Sequence, residues 1–342
     1  MKKLNWGVIG LGNIAQKFLD GFSGVQNSNL LAIASKSPTK LVNFKKQFNI
    51  KEEFVYNEYE DLINSKDIDI IYISLPNSLH YYWIERCLKN KKNVLVEKPA
   101  TLNFTEAKNL EKIFLKENLF FAEAFMYRYD PQIENIIKII KENEIGNLLS
   151  MESSFGVNIM TKKKFFFLKK NRKIDKNSRL FNPKLGGGCV LDLGCYPTSL
   201  SLLISSLIKN IDYQDFKMKN LKKEIGQTDV SIDAEMEIIF DNLFSSKVKA
   251  SFKKDLGNNT IIKGDKGDII VNNTFLGIKD IQIALKDKSY EIKNLPLQNM
   301  FSNQIENISK SILNGSNQAI FPGMQFQETL LNMKILDNWN NA

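Results

Sequence analysis

Alternation of two kinds of segment in the first third of the chain limits its fold more than any single motif does. Short apolar runs occur at Asn5–Ile9, Leu30–Ala34, Ile68–Ser74, Asn93–Val96 and Leu119–Ala122. Between them lie amphipathic stretches at Asn13–Phe22, Thr39–Phe48, Ser78–Asn90 and Phe104–Glu117. Apolar runs of this length read as strands buried on both faces, and the stretches between them as helices with one apolar side. Strands that alternate with helices predict a parallel sheet covered on both faces, a doubly wound α/β arrangement. The connections are short, as that arrangement requires.

The second half is organised differently. After a helix expected at Pro131–Glu142, strands dominate: Leu148–Val157, Val230–Phe240, Ser245–Phe252, Thr260–Ile262, Asp268–Val271 and Ile281–Leu285. Residues 230–252 alternate roughly apolar with polar, and "GDKGD" at Gly264–Asp268 reads as a hairpin turn. A mainly antiparallel, open-faced sheet is therefore expected, with one face on helices and the other free to pair with a second copy as a homodimer or homotetramer. Two further helices are expected at Asn299–Leu313 and Gln325–Trp339. With 342 residues the chain exceeds one ordinary core. The expected division is residues 1–123 and 124–342.

Composition removes several classes of function. No apolar run is read as long enough to span a bilayer, and the N-terminus "MKKLNWGVIG" enters a strand without a cleavage site, so a cytoplasmic protein off the membrane is expected. Cys87, Cys189 and Cys195 have no metal-type spacing, and His80 is the single histidine. Reduced thiols and no metal site follow. The net charge of +9 is spread over a lysine-rich chain, which argues against a nucleic-acid partner. One block stands apart, "TKKKFFFLKKNRK" at Thr161–Lys173. It is a basic aromatic arm or, more simply, a loop beside a ligand mouth.

Four stretches carry chemistry. "GLGNIA", Gly10–Ala15, follows the first strand and opens a helix. Gly10 permits a sharp turn, Gly12 lets the backbone approach a pyrophosphate, and the helix N-terminus faces the anion. Alone, this pattern also fits an ordinary tight strand-to-helix turn. At the end of the second strand, "AIASKS" has no Asp or Glu to hold a ribose 2′-hydroxyl. Ser35, Lys36 and Ser37 there offer hydroxyls and a cation, which suit the 2′-phosphate of NADP better than NAD. "LPNSLH", Leu75–His80, follows the strand expected at Ile68–Ser74, with His80 adjacent to the cofactor or structural. "EKPA" puts Glu97 and Lys98 at the end of the next strand, where ligands bind in open α/β sheets.

"GLGNIA", "PNSLH", "EKPA", "EAFMYRYDPQ" and "SRLFNPKLGGGCVLDLGCYP" occur in an order that resembles the Gfo/Idh/MocA oxidoreductase family. The last stretch is most similar to the branch of dihydrodiol dehydrogenases, glucose–fructose oxidoreductase and NADP-dependent xylose dehydrogenases. The resemblance implies an N-terminal Rossmann domain and a C-terminal α/β domain whose open sheet commonly forms the dimer. It implies that Gly10, Gly12, Asn13 and Ile14 hold the pyrophosphate, that Ser35 and Lys36 read the adenosine phosphate, and that Leu75, Pro76, Asn77 and Glu97 line the nicotinamide side. Lys98 matches the family's active-site lysine, preceding a Pro99 expected to be cis. Asp192 and Tyr196 match the aspartate and tyrosine of this branch. Lys36 replaces a frequent arginine, a more directional phosphate partner, and two departures stand out: Asp130 replaces a frequent histidine, which alters the substrate-side hydrogen bonding, and the loop at Lys162–Lys173 is more basic than the branch implies.

The implied activity is hydride transfer between NADP, or NAD, and a secondary alcohol or ketone of a sugar, sugar derivative or cyclic diol. A tyrosine titrates near 10 in water and needs a cation beside it to act as acid/base at neutral pH; Lys98 would assist Tyr196 in that way. Asp192 lies four residues before Tyr196, so one helical face presents both, provided the helix kinks or restarts at Pro197. Two other readings stay open: a glycosidase that retains NAD, and a non-catalytic NADP-binding regulatory protein.

Overall fold

A computed structural model of the chain describes residues 2–164, 168–277, 281–285, 289–292 and 299–342. Its contacts separate two units, Met1–Tyr129 with Leu297–Leu330, and Asp130–Pro296 with Leu331–Ala342. The division differs from a single cut at 123/124, because the segment Leu297–Leu330 returns to the first unit. That return is stabilised locally: the Trp6 indole donates to Ser309 Oγ at 3.0 Å, and the Phe114 and Phe326 rings stack at 4.6 Å.

The first unit is the expected Rossmann domain. In chain order it runs β1 (Leu4–Ile9), α1 (Asn13–Asp20), β2 (Ser28–Ala34), α2 (Pro38–Phe48), β3 (Val55–Tyr56) and α3 (Tyr59–Asn64). It continues with β4 (Ile70–Ile73), α4 (His80–Lys89), β5 (Asn93–Val96), α5 (Phe104–Glu117) and β6 (Phe121–Glu123). The strands lie parallel in the order β3-β2-β1-β4-β5-β6. Connections reverse direction between β1 and β4, which opens a crevice at the carboxyl ends of those strands. The central strands are largely apolar because helices cover both faces; all four residues of β4 are apolar and buried. In α1, Ala15, Phe18 and Leu19 form the buried side, with Phe18 stacked on Tyr72 of β4 at 3.8 Å between ring centroids. Asn103 caps α5 by accepting from the Glu106 amide at 2.9 Å, which fixes where that helix starts.

The second unit begins with α6 (Pro131–Lys141), then β7 (Leu148–Gly156), β8 (Thr161–Lys164), β9 (Leu168–Asn171), α7 (Cys195–Ser205), β10 (Phe216–Ile225), β11 (Ser231–Phe240) and β12 (Phe244–Ser251). It closes its sheet with β13 (Thr260–Gly264), β14 (Gly267–Val271), β15 (Ile281–Leu285) and β16 (Ser289–Ile292). Eight strands form one sheet in the order β10-β11-β12-β7-β13-β14-β15-β16, antiparallel except between β12 and β7. Alternate residues of β11 are buried, as expected for a sheet with one covered face. The basic block Thr161–Lys173 begins as a hairpin of β8 and β9. Its residues 165–167 and the side chains of 162–170 lie outside the described residues.

One expectation needs correction here. The run Pro183–Ser205 is long and apolar enough, by length and composition, to cross a membrane, contrary to the reading that no run reaches that length. It is a core segment, with 94% of its most apolar window buried. Its hydroxyls turn back onto helix carbonyls, Thr198 onto Gly194 at 2.9 Å and Ser201 onto Pro197 at 2.7 Å, which is why a buried helix tolerates them. The helix restarts next to Pro197, as its sequence requires. A π-helical turn, Val190–Gly194, leads directly into α7 with Pro197 in its first turn. The helical register thus changes from π to α just ahead of a residue that has no amide to donate.

Candidate active site

Within the first unit, the crevice between β1 and β4 is shaped by two glycines with different constraints. Gly10 has φ +87°, and a Cβ on it would stand 2.7 Å from both the Ser74 carbonyl oxygen and Leu75 Cδ2. The Ser74 hydroxyl fixes this turn by donating to the Gly10 carbonyl at 2.6 Å. Gly12 has an ordinary φ of −93° and nothing within 4 Å of the place its Cβ would occupy. The bare side of Gly12 therefore opens onto space beside the start of α1. No side chain caps α1, and its first turn, which includes Asn13 and Ile14, holds no acidic residue. The amides of that turn therefore have no carboxylate competing for them and suit an anion. These residues fit the pyrophosphate of a dinucleotide.

Ser35, at the end of β2, is buried and donates its amide to the Tyr56 carbonyl at 3.2 Å. Its hydroxyl accepts from the Ser37 amide at 3.2 Å. Lys36 is exposed and ion-paired with Glu58, and its ammonium lies 5.7 Å from the centroid of the Tyr59 ring. Leu75, Pro76 and Asn77 follow β4 as expected, with Asn77 buried at the start of a single 3₁₀ turn. His80 is buried: one ring nitrogen lies 2.9 Å from the Pro99 carbonyl oxygen and the other 2.8 Å from that of Leu75. The ring thereby ties the segment after β4 to the segment after β5.

Glu97 is buried and accepts from the Tyr72 hydroxyl at 2.5 Å. Lys98 is half-buried at the carboxyl end of β5, and the Lys98–Pro99 bond is cis. Behind this segment lies Glu123, a residue the sequence motifs contain but give no role. Its carboxylate accepts from the Ala100 amide at 2.9 Å and from the Thr329 hydroxyl at 3.0 Å. Burial is the largest influence on this group and raises it to about 7, against smaller opposing effects of those hydrogen bonds and of Arg128 and Lys98. Arg128 is itself buried and held by Glu328 at 2.8 and 3.0 Å.

In the second unit, Asp192 lies on the π-helical turn and pairs with Arg179 Nη1 at 2.8 Å. Arg179 sits inside the quoted "SRLFNP" stretch, yet nothing in its spacing points to Asp192. Tyr196 is in the first turn of α7, buried, with its ring against Phe155 at 5.2 Å and Phe275 at 5.4 Å. Asp130 caps α6, accepting from the Gln132 amide at 2.9 Å.

Residues 4–125 match the profile of an oxidoreductase family with an NAD-binding Rossmann fold, and residues 133–270 match the C-terminal domain of the same family. The chain belongs to the Gfo/Idh/MocA oxidoreductase family. Among its relatives, trans-1,2-dihydrobenzene-1,2-diol dehydrogenase of Xenopus tropicalis is 27% identical, with 97% of this chain and 96% of the relative aligned. The NADP⁺-dependent D-xylose 1-dehydrogenase of Hypocrea jecorina is 30% identical over 57% of this chain and 51% of its own length. Among solved structures, a 3-ketoreductase from Actinomadura kijaniata in complex with NADP and TDP-benzene has the same fold, with a TM-score of 0.82 at 22% identity over 98% of this chain and 96% of that one. An aldose–aldose oxidoreductase from Caulobacter crescentus, complexed with glycerol, gives a TM-score of 0.84 at 21% identity over 100% and 97%.

Proposed function

We propose that this protein is an NADP-dependent oxidoreductase that moves hydride to or from a secondary alcohol carbon of a sugar, sugar derivative or cyclic diol. The observation that carries this is the β1–α1 turn: a positive-φ Gly10, an open Gly12 and an uncapped helix start at the switch point of a parallel sheet. NADP is preferred over NAD because the end of β2 carries Ser35 and Lys36 and no acidic residue. When bound, the nicotinamide supplies or accepts the hydride. The protein's own residues must then hold the substrate oxygen and handle its proton.

Tyr196 is assigned as the acid/base, with its hydroxyl giving the proton to, or taking it from, the substrate oxygen. Lys98 assists by placing a positive charge where negative charge develops on that oxygen, an effect strongest where water is excluded. Asp192, held by Arg179, orients substrate hydroxyls. Glu97 and the Leu75–Asn77 segment bound the nicotinamide side, and His80 keeps their backbone in place. The uncovered face of the eight-stranded sheet is proposed as the surface through which two copies associate.

The test has two stages. NADPH fluorescence titration establishes binding, and a panel of aldoses, dideoxysugar ketones and cyclic diols then identifies a turned-over substrate. Lys98→Met and Tyr196→Phe should each lower kcat by about 10²- to 10⁴-fold, the range for a positioned proton-transfer group, while NADPH still binds. Full turnover by both variants on that substrate would refute the assignment.

A further inference from the structure

We propose that Glu58 is a specificity-determining residue of the cofactor site: its carboxylate engages the Lys36 ammonium, opposes a 2′-phosphate there and leaves the chain able to take NADH as well as NADPH. This inference rests on the reading that Lys36 faces the adenosine ribose.

Three observations in the first unit place Glu58 at that position. The Ser35 amide donates to the Tyr56 carbonyl, so the end of β3 is held beside the Ser35–Ser37 loop, and Glu58 follows two residues later. Glu58 is ion-paired with Lys36. The Lys36 ammonium also faces the Tyr59 ring at 5.7 Å, so one cation has both an aromatic face and a carboxylate as neighbours.

The chemistry of the two ribose forms then differs. A 2′-phosphate carries a charge of about −1.5 to −2 at neutral pH. Approaching Lys36, it meets an ammonium already compensated by Glu58 and a carboxylate that repels it. A 2′-hydroxyl carries no charge and can donate a hydrogen bond to a carboxylate, the role an acidic residue after the second strand plays in NAD sites. Here the acid comes from the start of α3 rather than from the end of β2. The side chains of Lys36 and Glu58 are 55% and 59% exposed, so water screens the pair and ligand binding can open it. The discrimination is therefore graded rather than absolute.

The test is a titration of NADPH and NADH against the full chain and its Glu58→Gln, Lys36→Met and double variants. Glu58 is exposed and makes no side-chain cap bond to α3, so its replacement leaves the fold intact; Glu58→Ser serves as a second variant with the same expectation. Glu58→Gln should raise the NADPH-to-NADH affinity ratio by about three- to tenfold, the scale of a screened surface charge pair. A rise should persist in the Lys36→Met background, because the Glu58 carboxylate still repels a 2′-phosphate when its lysine partner is gone. A ratio unchanged within about twofold in both Glu58 variants, while Lys36→Met still weakens NADPH, overturns the role of Glu58 alone. If Lys36→Met leaves NADPH binding unchanged, the assignment of Lys36 as the phosphate reader falls. Binding of neither nucleotide to the unaltered chain overturns the dinucleotide reading itself.

Discussion

Replacing Glu123 with glutamine is expected to flatten part of the pH dependence of stability between pH 5 and 8. Glu123 is 1% exposed, and burial raises its carboxyl from an ordinary value of 4.5 to about 7. Between those values the folded chain holds a proton that the unfolded chain has released. Folding is therefore favoured below about pH 4.5, and that contribution is lost as the pH rises through about 7. Integrated from pH 5 to pH 8, the loss is about 2 to 3 kcal/mol. If all 342 residues melt together, an unfolding entropy of about 2.1 cal/mol/K per residue converts this to about 3 to 4 °C in Tm. In the Glu123→Gln variant the new amide oxygen can still accept from the Ala100 amide, and the new NH₂ can donate to Thr329. The variant should thus fold while losing the titration. Thermal melts of both proteins across this range, with the difference plotted against pH, isolate Glu123 from every other ionisable group. An infrared band of a protonated buried carboxyl at neutral pH, absent from the variant, would identify the group directly. Parallel pH profiles for the two proteins would refute the argument that burial dominates at this site.

The two glycines of the β1–α1 turn should respond oppositely to substitution. Gly10→Ala is expected to destabilise the fold by about 1 to 3 kcal/mol, because φ is +87° and the added Cβ meets the Ser74 carbonyl. Gly12→Val should leave Tm almost unchanged, since the space beside it is open, yet weaken NADPH by at least about tenfold by filling the place assigned to the pyrophosphate. Melting curves and NADPH titrations on the same samples check both. Arg128→Met should cost about 3 to 5 kcal/mol, because it leaves Glu328 without its guanidinium partner in a buried position. Adding Glu328→Gln should recover part of that loss in denaturant unfolding, which separates the stranded charge from lost packing.

The alternation of apolar runs with amphipathic stretches was enough to place five of the six strands of the Rossmann sheet, because strands buried on both faces must be apolar along their length. β3 escaped that reading: two residues cannot display a period. β10 escaped it for another reason. Its register against β11 shifts between Lys219 and Lys222, which breaks the alternation, and as an edge strand it is rich in lysine. The same logic separates the candidate site residues. Gly10, Gly12, Lys98 and Tyr196 stand at strand or helix ends whose positions follow from local pattern and from motif order. The partners that give several site residues their setting do not: Glu58 beside Lys36, Glu123 behind Ala100, and Arg179 on Asp192 are contacts between segments distant or unpatterned in sequence. The basic block at Thr161–Lys173 announced itself by composition, but charge alone assigned it no place.

From the sequence by itself came the class of each element, the location of the turn that fits a dinucleotide, and the chemistry available at the strand ends. Those depend on periodicity and on the backbone freedom of particular residues, which are local properties. Only the tertiary structure decided that Leu297–Leu330 packs with the first unit and that Lys36 is already paired. Burial, ion pairing and the raised carboxyl of Glu123 are set by which distant segments exclude water from one another, and no local pattern encodes that.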